Sequence, residues 1–131
     1  MAFTKRIEIR WRDLDGFGHV NNSVYLTYLE EARDEFFTRL LGETVHRLVI
    51  RHIELSFVSG LVQEDDMVEV TVDVVRVGNS SVTTRERISA VSDGRVAAES
   101  GSVMVHTDDS REASAPLPAE ARVLLEGLVS A

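Results

Sequence analysis

Apolar and polar residues alternate at the start of the chain, where Ile7, Ile9 and Trp11 are separated by Glu8, Arg10 and Arg12. A period of two sends successive side chains to opposite faces of an extended strand, so this segment reads as a half-buried β-strand. The same parity carries Asp13 and Asp15 onto the apolar face, toward the interior. Carboxylates aimed inward are costly unless donors receive them, which marks the strand end as a candidate functional position.

The period then changes. Asn21-Asn22-Ser23 is a cluster of good helix-capping residues, and Tyr25, Leu29, Ala32, Phe36 and Leu40 recur at helical spacing up to Gly42. One long helix over about 22–41 follows from this spacing. Val24, Leu26 and Tyr28 widen the stripe, so the helix start is expected to be buried nearly all round. Glu30, Glu31, Asp34, Glu35 and Arg39 form its wetter side.

Alternation returns with Ile53, Leu55 and Phe57, and again with Val68, Val70, Val72 and Val74. A turn at Gly78-Asn79-Ser80 leads into a strand from Val82 to Val91, and Asp93-Gly94 predicts a two-residue hairpin. The last strand, Val96 to Thr107, is small or apolar on both faces and needs cover on both. One helix covers only one face of a sheet, so the other face or the edge is expected to meet a second copy of the chain. Ser110 to Pro118 is a polar linker, and Pro118 to Leu128 reads as a short C-terminal helix. A strand, a long helix and four more strands predict an α+β fold, an antiparallel sheet on one helix. The domain spans 1–109, with 110–131 as linker and appended helix.

Composition narrows the function. At 131 residues the chain suits a single domain, and its net charge of −8 argues against a nucleic-acid or anionic-membrane surface. The absence of cysteine removes disulfides, thiolate metal sites and a thiol nucleophile. No apolar run approaches the roughly 18 residues of a membrane span, and Met1–Trp11 holds no signal-peptide core, so a cytoplasmic location is expected. Gly-x-Ser-x-Gly, His-Glu-x-x-His and Walker motifs do not occur. Gly16-Phe17-Gly18 begins a dinucleotide fingerprint, but Asn21 stands where its third glycine belongs. Asp13, Asp15 and His19 match no strong metal-ligand spacing, and neither metal nor cofactor is expected.

The chemistry concentrates in the stretch from Trp11 to Tyr25. Asp15 precedes a glycine turn, and the helix after it presents unpaired N–H groups and its positive dipole end around Asn21 to Val24. A carboxylate facing such donors across a gap supplies a base or nucleophile on one side of a carbonyl, while the amides receive the oxyanion on the other. That arrangement suits hydrolysis of an activated acyl group. For Asp13 the expected work is structural: bonding the turn or holding an arginine such as Arg33. His19 is a candidate to orient water or to stabilise the turn, while Asn21 and Asn22 are capping residues first.

The run Asp-x-Asp-x-x-Gly-His-Val-Asn-Asn-x-x-Tyr-x-x-Tyr-x-Glu, from Asp13 to Glu30, resembles the hotdog-fold thioesterases. More narrowly it is similar to the 4-hydroxybenzoyl-CoA thioesterase and acyl-CoA thioester hydrolase branch. The likeness extends over about 3–107, through Glu54-Leu-Ser-Phe-Val and Val77-Gly-Asn-Ser-Ser-Val-Thr. It implies that Asp15 is the nucleophile or general base, that the oxyanion donor is a backbone N–H near Asn22, and that His19 belongs to the same catalytic group. The resemblance also implies coenzyme A contacts at Gly78, Asn79, Ser80 and Ser81. Gly18, Asn21 and Tyr25 are candidate substrate contacts, Tyr25 because a fatty chain needs apolar lining. Arg76 is a candidate for the coenzyme A phosphates, because an acidic chain needs a basic spot for them. The expected substrate is an acyl-CoA or an acyl-carrier-protein thioester, and the expected assembly is a homodimer or homotetramer with sites at the dimer interface.

Two departures stand out. The benzoyl-type enzymes carry aromatic residues where this chain has Asn21-Asn22, so an aromatic acyl group is not supported. The family's Pro and Gly in the loop after Phe57 are replaced by Gly60 and Glu64, with Asp65 retained, which alters loop shape but not chemistry. Two rival readings keep the fold: a non-catalytic acyl-CoA or acyl-carrier binding module, and a dehydratase of 3-hydroxyacyl thioesters.

Overall fold

In a computed structural model, which describes residues 2–42 and 47–129, the periodic segments become five strands and two α-helices. They are β1 (Phe3–Glu8), α1 (Asn22–Leu41), β2 (Leu48–Phe57), β3 (Met67–Val77), β4 (Ser81–Ala90), β5 (Val96–His106) and α2 (Ala119–Glu126). The strands form one antiparallel sheet in the order β1-β3-β4-β5-β2, with α1 packed on one face: the hotdog arrangement. Val68, Val70, Val72, Val82 and Ile88 of the sheet are buried together with Tyr25, Leu29, Ala32, Phe36 and Phe37 of α1. The valine alternation of β3 thus does what its period demands.

The limits of α1 follow from its caps. The Asn21 side-chain oxygen accepts the Ser23 amide at 3.0 Å, and Gly42 closes the helix at φ 78°, a conformation that favours glycine. The helix start is not buried all round: Leu26 is 42% exposed, and Asn22, Ser23 and Thr27 are exposed too. Within the chain α1 meets the sheet mainly over β3 and β1, and it also touches β4 and α2.

At the end of β1 the parity breaks. Pairing with β3 stops at Glu8, and the backbone then tightens into a 3-10 turn over Trp11–Asp13. Asp13 enters the interior, but Trp11 is 83% exposed and Asp15 lies at the surface, against the period-two expectation. The turn forms because the Asp13 carboxylate accepts the Arg10 amide at 2.9 Å, and the same oxygen takes the Tyr28 hydroxyl at 2.7 Å.

Arg33 is therefore not the partner of Asp13. It lies on the buried face of α1 beside Glu86 of β4, at 3.5 Å, and Glu86 also accepts hydrogen bonds from Ser100 and Ser102 at 2.8 and 2.6 Å. A buried charge needs such partners, and here they come from three elements. Burial pulls the Arg33 guanidinium down from its ordinary value.

The β4–β5 connection spans 91–95, five residues rather than the two expected from Asp93-Gly94, and the Ala90 N–H donates to the Arg95 carbonyl at 2.9 Å. Part of the cover that β5 needs comes from the chain itself, since the amides of Val58 and Ser59 both bond the Ala97 carbonyl. The C-terminal segment returns to the body of the domain: Ala115 bonds His106, Leu117 bonds Asn79, and Leu117 and Leu125 are buried.

Candidate active site

The loop from Leu14 to Val20 is a small closed structure. Leu14 and Val20 bridge, the Asp15 amide donates to the His19 carbonyl at 2.7 Å, and Gly18 turns the chain at φ 81°. The Asp15 carboxylate serves the same turn. Its Oδ1 accepts the amides of Phe17 and His19 at 2.8 and 3.1 Å. These two donors, Phe17 first, hold the carboxyl below the ordinary carboxylate range. The side chain is therefore an anion at neutral pH, solvent-exposed, and its Oδ2 makes no hydrogen bond among the described residues.

The helix follows at once. Asn21 donates its amide to the Asp13 carbonyl at 2.8 Å and caps with its side chain, while the Asn22 N–H has no partner among the described residues. An unpaired amide at the first turn of a helix is a ready donor to developing negative charge. Val20 then ties the loop across to the Leu61 carbonyl at 2.8 Å.

Between these parts lies a cleft of about 400 Å³. Asp15, His19, Asn22 and Tyr25 line it from the loop and helix, and Phe57–Gly60 line it from the end of β2. The Tyr25 ring meets Phe57 edge-on at 5.1 Å, and burial raises its phenol above the ordinary value, so it stays protonated. A larger depression of about 560 Å³ lies elsewhere, between β1 and α1. Lys5 and Arg39 there pair with Glu35 at 3.1 and 3.7 Å, and Glu31, Asp34 and Thr38 complete its lining. Among the described residues no group of three or more His, Asp or Glu side chains is arranged to hold a metal ion.

The structure thus brings Asp15, His19, Asn22 and Tyr25 to one cleft. Gly18 and Asn21 shape the loop and the cap without lining it. Gly78, Asn79, Ser80, Ser81 and Arg76 are elsewhere, at the opposite end of the sheet, because Val82 pairs with Met104 while Phe57 pairs with Ala98. There the carbonyls of Gly78 and Asn79 accept the Arg122 guanidinium at 2.7 and 2.9 Å, anchoring α2.

Sequence reasoning did not place Phe57–Gly60 in the cleft wall, nor Arg95 behind it. The retained Asp65 was the available signal. It is buried in a fork with Arg95, and that guanidinium, ahead of the Val62 amide and the Ser92 hydroxyl, lowers its carboxyl to about 2.

Residues 9–125 match the family described as the thioesterase-like superfamily. Among solved structures, a predicted thioesterase from Bacillus stearothermophilus is 30% identical with TM-score 0.89, over 99% of this chain and 98% of that one. A thioesterase from Thermus thermophilus, solved with coenzyme A and Zn, is 33% identical with TM-score 0.85, over 95% and 92%. A 1,4-dihydroxy-2-naphthoyl-CoA thioesterase from Synechocystis is 18% identical with TM-score 0.82, over 98% of each chain, and shares the fold. No curated protein matches the sequence.

Proposed function

The chain belongs to the thioesterase-like superfamily and is a thioester hydrolase, and from that premise we propose that it cleaves acyl-CoA thioesters to the free acid and coenzyme A at the Asp15 cleft. One observation carries this reading: an ionised carboxylate with a free Oδ2 and an unpaired helix amide, Asn22 N–H, border the same cleft. Asp15 Oδ2 attacks the thioester carbonyl to give a mixed anhydride that water then opens to the free acid and the regenerated carboxylate, or it takes a proton from the water that attacks directly. The carbonyl oxygen turns toward the Asn22 amide as it gains charge, and the thiolate departs without needing a strong acid. His19, on the wall beside Asp15, orients the attacking group. Coenzyme A in the Thermus thermophilus structure supports the choice of carrier.

The site is completed in this reading by a second copy. β2 pairs only with β5, so one of its edges is open, and Val49, Ile50, Phe57 and Val58 are 41–58% exposed along it. A twofold pairing of β2 with its copy runs antiparallel and brings the partner's 78–81 turn to the cleft end of the sheet. Arg76 and that turn then offer contacts to coenzyme A, in a cytoplasmic homodimer.

The test is free-thiol release from a panel of short, medium, long and aryl acyl-CoAs. We expect turnover on aliphatic members at rates well above the uncatalysed reaction. Tight binding without thiol release would make the chain a binding module instead.

A further inference from the structure

Two loops far apart in sequence, the β2–β3 and β4–β5 connections, meet at one guanidinium. Arg95, just before β5, forks onto Asp65 with Nη2–Oδ2 at 2.7 Å and Nη1–Oδ1 at 3.0 Å. The same Nη2 donates to the Gly60 carbonyl at 2.8 Å, and Nη1 reaches Asp93 at 3.0 Å. Asp65 in turn accepts the Val62 amide at 2.9 Å and the Ser92 hydroxyl at 2.9 Å.

The far side of this clamp is the cleft. Gly60 lines it, and a Cβ built there would stand 3.3 Å from Cδ2 of His19, so the imidazole rests on the bare face of the glycine. His19 also bridges Val62, and its amide is one of the two donors to Asp15 Oδ1. A continuous set of contacts therefore leads from Arg95 through Gly60 and His19 to the Asp15 carboxylate. An Arg fork of this kind fixes direction as well as distance, which a lysine cannot reproduce.

We propose that Arg95 is a positioning residue for thioester hydrolysis: it sets the height of Gly60, which seats the His19 ring and so aims Asp15 into the cleft. This rests on the hydrolase reading given above. Arg95 touches no substrate; its effect passes through Gly60. Displacing a catalytic group by a fraction of an ångström is enough to slow a reaction by an order of magnitude or more.

The experiment compares Arg95→Lys and Arg95→Gln with Arg122→Gln, which releases a comparable set of bonds at the opposite end of the sheet. Two readouts are needed: steady-state thiol release from an acyl-CoA, and the ring resonances of His19 by NMR. Both Arg95 variants should lose about tenfold or more in kcat with KM nearly unchanged, and the His19 ring signals should shift in the folded protein. Arg122→Gln should leave the His19 ring as it is. Gly60→Ala, with Arg95 intact, should move the same His19 signals.

Unshifted His19 signals in folded Arg95→Lys would overturn the proposal, as would an unchanged kcat in that variant. If Arg95→Gln does not fold, Arg95→Lys keeps both criteria. Absence of hydrolysis by the unmodified chain would instead strike the hydrolase reading, while the His19 shifts would still decide the link from Arg95.

Discussion

Asp13 and Asp15 are separated by one residue and live in different worlds. The 3-10 turn carries Asp13 inward, where one oxygen serves both the Arg10 amide and the Tyr28 hydroxyl. The loop after it turns Asp15 outward, where two amides hold Oδ1 and leave Oδ2 bare at the cleft. Both carboxylates organise backbone through an oxygen that accepts from nearby amides, so bonding to a turn does not by itself tell a structural acid from a chemical one. The second oxygen and its exposure do.

The strongest way to break this comparison is Asp15→Asn. The amide keeps an oxygen for the Phe17 and His19 N–H groups, so the loop and the melting temperature should persist. Thiol release should fall by about 10³- to 10⁴-fold with substrate binding retained. Unchanged turnover in a folded variant would take the chemistry away from this residue.

The counterpart, Asp13→Ala, should invert the pattern. It leaves the buried Tyr28 hydroxyl and the Arg10 amide without their acceptor, a loss of about 2–3 kcal/mol in urea unfolding. Turnover per folded molecule should drop by less than about tenfold, far short of the loss at Asp15. A variant equally stable and nearly inactive would mean that the two acids share one task.

Much of the fold was legible because local chemistry and period agree. Asn21 and Gly42 bracket α1, and Val68 to Val74 keep a period of two through β3. What the pattern missed was nonlocal or made by side chains. The bond from the Arg10 amide to Asp13 shifts the parity of everything up to Asp15, and no periodicity contains it. Arg33 reads as a partner for Asp13 until Glu86, on a distant strand, is placed beneath it. The cleft was half visible: one wall is a contiguous motif at the head of a helix. The other, Phe57–Gly60, depends on Val20 bonding Leu61 and on Arg95 gripping Gly60, which are facts of the folded sheet.

The smallest effect sharpens the comparison most, because it concerns which group carries the proton. The Phe17 amide, then the His19 amide, and last the His19 charge lower the Asp15 pKa. A lowered carboxyl stays ionised as the pH falls past its ordinary value of about 3.9. If Asp15 supplies the reacting anion, kcat/KM, which reports the free enzyme, should have its acid limb below that value and lie flat from there to neutrality. The folded fraction must be followed alongside, since Asp65, held at about 2 by Arg95, gives up its stabilising contribution progressively as the pH falls from the ordinary carboxylate value toward that figure. His19→Gln removes the weakest of the three influences, so the limb should move up only slightly. A limb near the ordinary histidine value of about 6.5 that disappears in His19→Gln would reverse the roles: His19 would be the proton acceptor, and Asp15 a turn residue like Asp13.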